Sequence, residues 1–191
     1  MTSKTYNLYR WKYLIDCTYQ AREKVLIKIQ WGDGQMRNEP LKLTLIIIST
    51  TILLYHTFHL FYLWSEIPNT IAIHFSKGEP DQWGSKYFLF IMPIVSILTW
   101  FLIRLVAKKP EKLNYVNLTE GNKEIQYAKA DKVMVLIQHL GSITFIFANE
   151  AFLRNAVGME SRLPFSMAIV LLCICFMAPI YHLFWAATLK N

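Results

Sequence analysis

The sequence predicts an all-α membrane protein with four transmembrane helices, both termini in the cytoplasm, and an ordered extracytoplasmic loop between the first two helices. Three observations support this class: four long apolar stretches, a small share of charged residues, and an uneven distribution of Lys and Arg. Of the 191 residues, 54% are hydrophobic and 17% are charged. A soluble domain is normally less apolar and more charged, so the composition argues against an ordinary soluble enzyme.

Four apolar stretches approach or exceed the ~20 residues that a helix needs to cross a bilayer. Hydrocarbon offers no hydrogen-bond partner to an exposed backbone group, so stretches of this length should be helices. Four buried core helices would leave too little polar chain in a protein of this size to cover them. The expected spans are residues 43–64, 87–107, 133–153 and 165–189.

The positions of the basic residues predict the orientation. Segments 1–42 and 104–132, together with the C-terminal tail, hold sixteen of the twenty Lys and Arg residues, whereas segments 65–86 and 154–162 hold four. Because short basic segments stay in the cytoplasm, we expect both termini there and the protein in the cell membrane. The net charge of +7 then reflects membrane topology, and nucleic acid is not an expected partner.

Two longer cytoplasmic segments are predicted, residues 1–42 before the membrane domain (residues 43–191) and residues 104–132 within it. Residues 1–42 mix Tyr and Trp with Lys and Arg, which suits an amphipathic helix at anionic headgroups. Part of this segment alternates as a strand does, so a surface helix and another structure both stay open. In segment 104–132, Thr119 is a plausible N-cap with Glu120 in the first turn, which predicts that the third helix starts before its membrane-spanning part.

The most informative motif lies in the loop between the first two helices, residues 65–86. From residue 67 to residue 86 it reads IPNTIAIHFSKGEPDQWGSK. Gly and Pro residues fix turns there, and His74 is placed to hydrogen-bond Asp81. The loop is either a compact cap or a site that recognises a peptide, lipid or ion, and no nucleophile–base pair of usable spacing indicates catalysis. The candidate residues are Pro68, His74, Phe75, Gly78, Pro80, Asp81, Trp83 and Lys86.

This loop, with the proline-containing helix after it, resembles a widespread bacterial family of membrane proteins. Its signature is roughly I-P-x-x-I-x-x-H-F followed by G-x-P-D-x-W-x-S-K, and the resemblance extends over about residues 60–190. The family is built on a domain of unknown function that also forms the N-terminal part of SdpI-type immunity proteins, which protect a producer cell from its own killing peptide. SdpI-type proteins carry a further helical domain, which these 191 residues do not contain.

The resemblance implies a non-enzymatic membrane protein of the immunity or stress-protection type, without a cofactor. Its partners would be the lipid bilayer and a membrane-active peptide or another membrane protein. The alternative is a small accessory or regulatory subunit of a larger membrane complex such as a transporter, in which the cytoplasmic segments contact partners. A transporter or intramembrane enzyme itself would need internal repeats or converging charges, and the sequence indicates neither.

Ionisable side chains inside the predicted spans are the remaining candidates: His56, His59, His139, Glu150 and His182. His56 and His59 share a helix face, and both lie with Glu150 in the half of the membrane nearest the loop. We expect interhelical hydrogen bonds there, with a polar cavity as an alternative. No metal is expected, since no spacing is diagnostic of one; a metal site would use His56, His59 and His74. His139 and His182 lie at similar depth and are candidates to meet across a helix pair.

Overall fold

The computed structural model describes residues 39–76 and 79–189. These residues form four α-helices: α1 (Glu39–Tyr62), α2 (Ile91–Ala107), α3 (Lys123–Ala156) and α4 (Arg162–Ala187). Strands β1 (Thr70–Ser76) and β2 (Glu79–Ser85) form an antiparallel hairpin between α1 and α2. Short 3-10 helices precede and follow α2, at Lys86–Phe90 and Pro110–Lys112. The prediction for residues 1–42 falls almost entirely outside the described residues, and so does Gly78.

Within the described residues, four helices are long and apolar enough to cross a membrane. Their most apolar windows have mean hydropathies between 1.3 and 2.4. The prediction of four helices long and apolar enough to span a membrane is therefore confirmed, and the length and composition of these helices are those of a multi-pass membrane protein. With 34 residues, α3 is about 51 Å long. It exceeds the ~30 Å of bilayer hydrocarbon, so part of α3 extends beyond the apolar layer.

Helix α3 is the centre of the bundle. In its most apolar window 44% of the residues are buried, against 11–17% in the other three helices. Its buried residues include several with polar side chains: Gln126, Gln138, His139, Thr144, Asn149 and Glu150. Between helices in a bilayer, such side chains provide hydrogen bonds that apolar contacts cannot supply. We conclude that α3 holds the other helices partly through polar contacts.

The hairpin corrects the all-α prediction, because the segment treated as a loop contains a two-stranded sheet. Its pairing runs from Thr70 opposite Ser85 to Ser76 opposite Glu79, with irregularities on either side of His74. The first strand contains the apolar run Ile71–Ile73 and β-branched and aromatic residues that are typical of strands. The second contains Pro80 and Gly84, residue types that are depleted in strands. Because of this composition, the second strand was not predicted from the sequence.

The start of α3 also differs from the prediction. The helix begins at Lys123, after an N-cap at Asn122, and not directly after Thr119. The side-chain oxygen of Asn122 accepts a hydrogen bond from the Thr119 backbone N–H at 2.9 Å. The Asn122 amide donates to the carbonyl of Asn117 at 2.7 Å, and Asn117 has a φ of 54°. Asparagine tolerates this left-handed conformation, so the turn before α3 is stabilised by asparagine side chains.

A cluster of buried apolar residues fastens the hairpin to the helix ends. It joins the end of α1, the connection after it, β1, the 3-10 helix before α2 and the end of α3. Its members are Leu60, Leu63, Ile67, Ile71, Leu89 and Leu153. Burial of this kind contributes roughly 1.5–3 kcal/mol for each fully buried large side chain. The hairpin is therefore packed onto the bundle and does not project from it as a free loop.

Candidate functional site

A buried cluster of polar side chains lies at the hairpin end of the bundle, where α1 faces α3. Its centre is Glu150, whose two carboxylate oxygens have different partners. Oε2 lies 2.8 Å from Nδ1 of His56, while Oε1 lies 2.8 Å from Nδ1 of His59 and 2.7 Å from Nε of Arg154. Glu150 is 5% exposed and His56 is 1% exposed. We call His56, His59, Asn149, Glu150 and Arg154 the Glu150 cluster.

Helix periodicity explains why these groups converge. Positions three or four residues apart share a helix face, which places His56 beside His59 on α1 and Arg154 beside Glu150 on α3. A buried carboxylate is costly unless it is paired and hydrogen-bonded. Glu150 has three donors, which makes its burial tolerable. The sequence analysis predicted hydrogen bonding among His56, His59 and Glu150, and these contacts are present.

Asn149 extends the cluster to the chain before α2. Its Nδ2 lies 2.8 Å from Nε2 of His56 and 2.7 Å from the carbonyl oxygen of Leu89. Leu89 belongs to the 3-10 helix that follows the hairpin. One side-chain amide thus joins α1, α3 and the start of the α2 segment. Neither Asn149 nor Arg154 was predicted from the sequence. For Arg154, its position one turn after Glu150 was a usable signal.

The Glu150 cluster is the end of a series of polar contacts between α1 and α3. Lys42 pairs with Asp131 at 3.4 Å, and the Ser49 hydroxyl lies 2.9 Å from Nδ1 of His139. On α1, Lys42, Ser49 and His56 are spaced seven residues apart, so they lie on nearly the same helix face. Residue numbers rise together on the two helices, so α1 and α3 run parallel. The series sets the register between them.

The structure does not bring His139 and His182 together. The His139 ring meets Ser49 on α1 and the edge of Trp100 on α2, with ring centroids 6.2 Å apart. The His182 ring stacks on Trp185 at 5.8 Å and meets Tyr115 edge-on at 6.5 Å. The contact across a helix pair that the sequence left open is therefore not formed, and each imidazole packs against other aromatic side chains.

His74 and Asp81 face each other across the hairpin. His74 Nδ1 lies 2.6 Å from Asp81 Oδ1, and both side chains are largely exposed. The hydrogen bond between His74 and Asp81 that the sequence suggested is therefore present. An exposed pair of this kind adds little stability, so its effect is mainly to link the two strands. It also keeps His74 with Asp81 and not with His56 or His59.

Lys86 anchors the base of the hairpin. Its backbone N–H donates to the carbonyl of Asn69 at 3.0 Å, and its ammonium group donates to the carbonyl of Ile67 at 3.4 Å. The same ammonium lies 4.7 Å from the centroid of the Trp64 ring, within the range of a cation–π contact. Pro68 lies between these two carbonyl groups in the chain, in the connection that Lys86 closes.

The remaining motif residues differ in how far they are buried. Gly84 packs tightly: a Cβ added there would meet Ile73 and Phe88 side-chain atoms at 3.0–3.1 Å. The Phe75 ring lies 6.3 Å from the Phe152 ring on α3. Trp83, by contrast, is 63% exposed. The motif therefore contains both residues that hold the hairpin in place and a large aromatic side chain that the fold leaves free.

A small pocket opens between the hairpin and the helices beneath it. Its volume is about 90 Å³, and its lining includes Ile71, Ile73, Phe88, Met92, Asn149 and Phe152. The lining is apolar apart from Asn149. Since the Asn149 amide nitrogen donates to His56 and Leu89, the Asn149 carbonyl oxygen is the acceptor that remains. Such a pocket suits an apolar group with one hydrogen-bond donor.

No group of three or more His, Cys, Asp or Glu side chains in residues 39–76 and 79–189 is arranged to hold a metal ion. In the Glu150 cluster, both imidazole Nδ1 atoms lie at hydrogen-bond distance from carboxylate oxygens. A histidine that ligates a metal must direct a lone pair at it. The arrangement of these groups is that of a hydrogen-bonded cluster.

Comparison with known protein families identifies the hairpin region. Residues 45–97 match the family described as Domain of unknown function (DUF1648). The match covers most of α1, the whole hairpin and the first turns of α2. It includes His56, His59 and the hairpin motif, whereas Glu150 and Asn149 lie outside it. The resemblance to a family built on a domain of unknown function is thus supported, and no curated protein or solved structure is significantly similar to the chain.

Proposed function

We propose that the chain is a non-enzymatic protein of the bacterial cell membrane, of the SdpI-like immunity or stress-protection type, and that its hairpin recognises a membrane-active peptide. Both termini would be cytoplasmic and the hairpin would face outward. The distribution of Lys and Arg supports this orientation. The match of residues 45–97 to a domain of unknown function supports the relationship only at the level of that domain.

The observation that carries the proposal is a fixed hairpin with a free aromatic side chain. The buried cluster around Leu89 holds the base of the hairpin, while Trp83 is 63% exposed. Aromatic side chains on a rigid support are frequent binding hot spots. The pocket beside Asn149 adds an apolar recess. Glu66 and Glu79 are exposed and lie within six residues, along the chain, of the pocket residues Ile71 and Ile73. This combination complements a peptide with apolar and cationic side chains.

The Ser–His contact in the bundle is the feature that most resembles a catalytic pair. The Ser49 hydroxyl lies 3.1 Å from the carbonyl of Ile46 and 2.9 Å from Nδ1 of His139. If the hydroxyl proton is donated to Ile46, His139 must donate to the Ser49 oxygen. General-base activation requires the opposite direction. This contact therefore fits a structural role, and the proposal remains non-enzymatic.

The test is protection of cells against membrane-active peptides. A deletion strain, complemented with the wild-type chain or a variant, is challenged with a panel of cationic and apolar peptides. We expect the deletion to increase sensitivity to at least one peptide. Trp83→Ala should weaken protection about tenfold or more, while the matched control Phe184→Ala, which truncates an exposed aromatic on α4, should protect normally.

Two results would overturn the proposal. One is unchanged sensitivity of the deletion strain across the panel. The other is equal protection by the Trp83→Ala variant and the wild-type chain at equal membrane abundance. Either result would favour the accessory-subunit hypothesis, for which co-purification of a constant partner in mild detergent is the direct measurement.

A further inference from the structure

A second groove lies at the opposite end of α2 from the hairpin. It is lined by Leu105, Val106, Lys109, Lys112 and Leu113, and its volume is about 310 Å³. Helix α2 is 17 residues long, so the groove is separated from the start of α2 by about 25 Å. Three of the five lining residues are apolar and two are cationic. This composition suits an amphiphile with a negatively charged headgroup.

The ammonium groups of Lys109 and Lys112 are not neutralised by carboxylates of the described residues. Among the described residues, neither ammonium forms an ion pair with a carboxylate, and both side chains are exposed. Glu111 lies between them in the chain but forms no ion pair with either. Arg104, one turn earlier, lies over the Trp100 ring at 5.2 Å. Lys109 and Lys112 are thus available to an external anion.

The backbone around the groove is held in place by hydrogen bonds. The Lys109 N–H donates to Val106, the Lys112 N–H to Lys109, and the Leu113 N–H to Pro110. The Tyr115 hydroxyl also donates to the Pro110 carbonyl, at 2.8 Å. A preorganised site loses less entropy when it binds a ligand. The backbone positions of the two lysines are therefore fixed before any ligand binds.

The depth of the groove in the membrane identifies the ligand. The apolar span Lys86–Ala107 ends two residues before Lys109, and Leu105 and Val106 are about half exposed at its last turn. Lysines at the end of a span lie at the level of the lipid headgroups, where they attract anionic lipids. Apolar side chains one turn deeper lie at the level of the first acyl carbons.

We propose that this groove binds an anionic phospholipid, with Lys109 and Lys112 on the headgroup phosphate and Leu105, Val106 and Leu113 along the upper acyl chain. The proposal does not depend on the function of the hairpin. A lipid bound here would hold the 3-10 helix Pro110–Lys112 at the membrane surface. It would also fix the direction in which the chain leaves α2 towards α3.

The test measures lipids retained by the purified full-length protein in native mass spectrometry. Phosphatidylglycerol and phosphatidylcholine with identical acyl chains are compared as probes. We expect the wild-type protein to retain phosphatidylglycerol preferentially, and its apparent affinity to fall roughly fivefold for each lysine removed in Lys109→Gln and Lys112→Gln. Lys108→Gln is the matched control, because Lys108 is an exposed neighbour that does not line the groove, and it should leave the preference unchanged.

Competition separates a lipid from a free phosphate ligand. Deacylated glycerophosphoglycerol and inorganic phosphate carry the anionic group without acyl chains, and neither should displace phosphatidylglycerol at equal concentration. Displacement by either compound would show that the site binds phosphate alone and would overturn the lipid assignment. An equal loss of preference in Lys108→Gln and in the Lys109→Gln/Lys112→Gln double variant would overturn the site.

Discussion

Nδ2 of Asn149 lies 2.8 Å from Nε2 of His56 and 2.7 Å from the Leu89 carbonyl oxygen. A carbonyl oxygen can only accept, so the nitrogen of the Asn149 amide must face it as a donor. The same amide nitrogen then donates its second proton to His56. Nε2 of His56 must therefore carry a lone pair, and Nδ1 must carry the proton that it donates to Glu150.

This arrangement predicts a neutral His56 with its proton on Nδ1. The measurement is ¹⁵N NMR of the histidine-labelled protein, with the His56 signals assigned by their loss in His56→Gln. We expect a protonated Nδ1 and an unprotonated Nε2. Asn149→Leu replaces the amide by an apolar side chain of similar size. Nδ1 of His56 should then keep the proton that it donates to Glu150, while Nε2 loses the hydrogen bond from Asn149 and its ¹⁵N signal should shift. A protonated Nε2 of His56 in the wild-type protein would contradict the proposed direction of these hydrogen bonds.

Removing the central carboxylate should be the most destabilising single change at this end of the bundle. Glu150→Leu leaves two imidazoles and the Arg154 guanidinium without their shared acceptor. Breaking a buried ionic cluster from one side costs about 3–5 kcal/mol, and we expect a loss of this order in detergent unfolding. Glu150→Gln keeps one acceptor oxygen and should lose less.

The control for Glu150 is Glu160→Gln. Glu160 is exposed, and its Oε1 lies 4.0 Å from Nε of Arg162 and accepts the Arg162 backbone N–H at 2.8 Å. Gln keeps an oxygen for that hydrogen bond, so neutralisation should change stability little. If Glu150→Leu and Glu160→Gln unfold at the same denaturant concentration, the Glu150 cluster does not stabilise the bundle.

Features that are set by hydropathy and helix periodicity could be predicted from the sequence, whereas a contact with a backbone group distant in the chain could not. The bilayer imposes helix length on any chain that crosses it, so the four spans are readable from hydropathy alone. The convergence of His56 and His59 on Glu150 is also readable, because helix periodicity and depth place them together. Asn149 was not predicted, because one of its two partners is the backbone carbonyl of Leu89, and no sequence pattern marks a backbone acceptor.

The strands and the start of α3 were harder to predict for a different reason. Strand β2 contains Pro80 and Gly84 and is stabilised by pairing with β1, which local propensity does not register. The beginning of α3 depends on the side chain of Asn122, which hydrogen-bonds backbone groups of Thr119 and Asn117. A Thr-Glu pair ahead of a helical pattern suggested an earlier start. Both differences arise where side-chain or tertiary contacts override local sequence preference.

Gly84 should tolerate no side chain without loss of stability. An added Cβ would lie 3.0–3.1 Å from side-chain atoms of Ile73 and Phe88, so these must move aside by a few tenths of an ångström. Overpacking of this kind costs about 1–3 kcal/mol, and we expect Gly84→Ala at the lower end in thermal unfolding. Gly121→Ala is the matched control, since its nearest neighbour atom is 4.0 Å away. Equal effects of the two substitutions would contradict tight packing at Gly84.

Tyr115 predicts a loss of stability at high pH. Burial, with the nearby Tyr127 and Glu111, raises the pKa of Tyr115 from 10.0 to about 12. The unfolded chain loses this proton at lower pH than the folded protein, so the contribution is complete below pH 10 and is lost as pH rises towards 12. The measurement is the near-ultraviolet absorbance of tyrosinate in the wild-type protein minus that in Tyr115→Phe. This difference should appear only near pH 12 in folded protein and near pH 10 after denaturation. Tyr87→Phe, which removes an exposed hydroxyl, controls for the loss of one phenol. A Tyr115 signal near pH 10 in folded protein would show that burial does not raise the pKa of Tyr115.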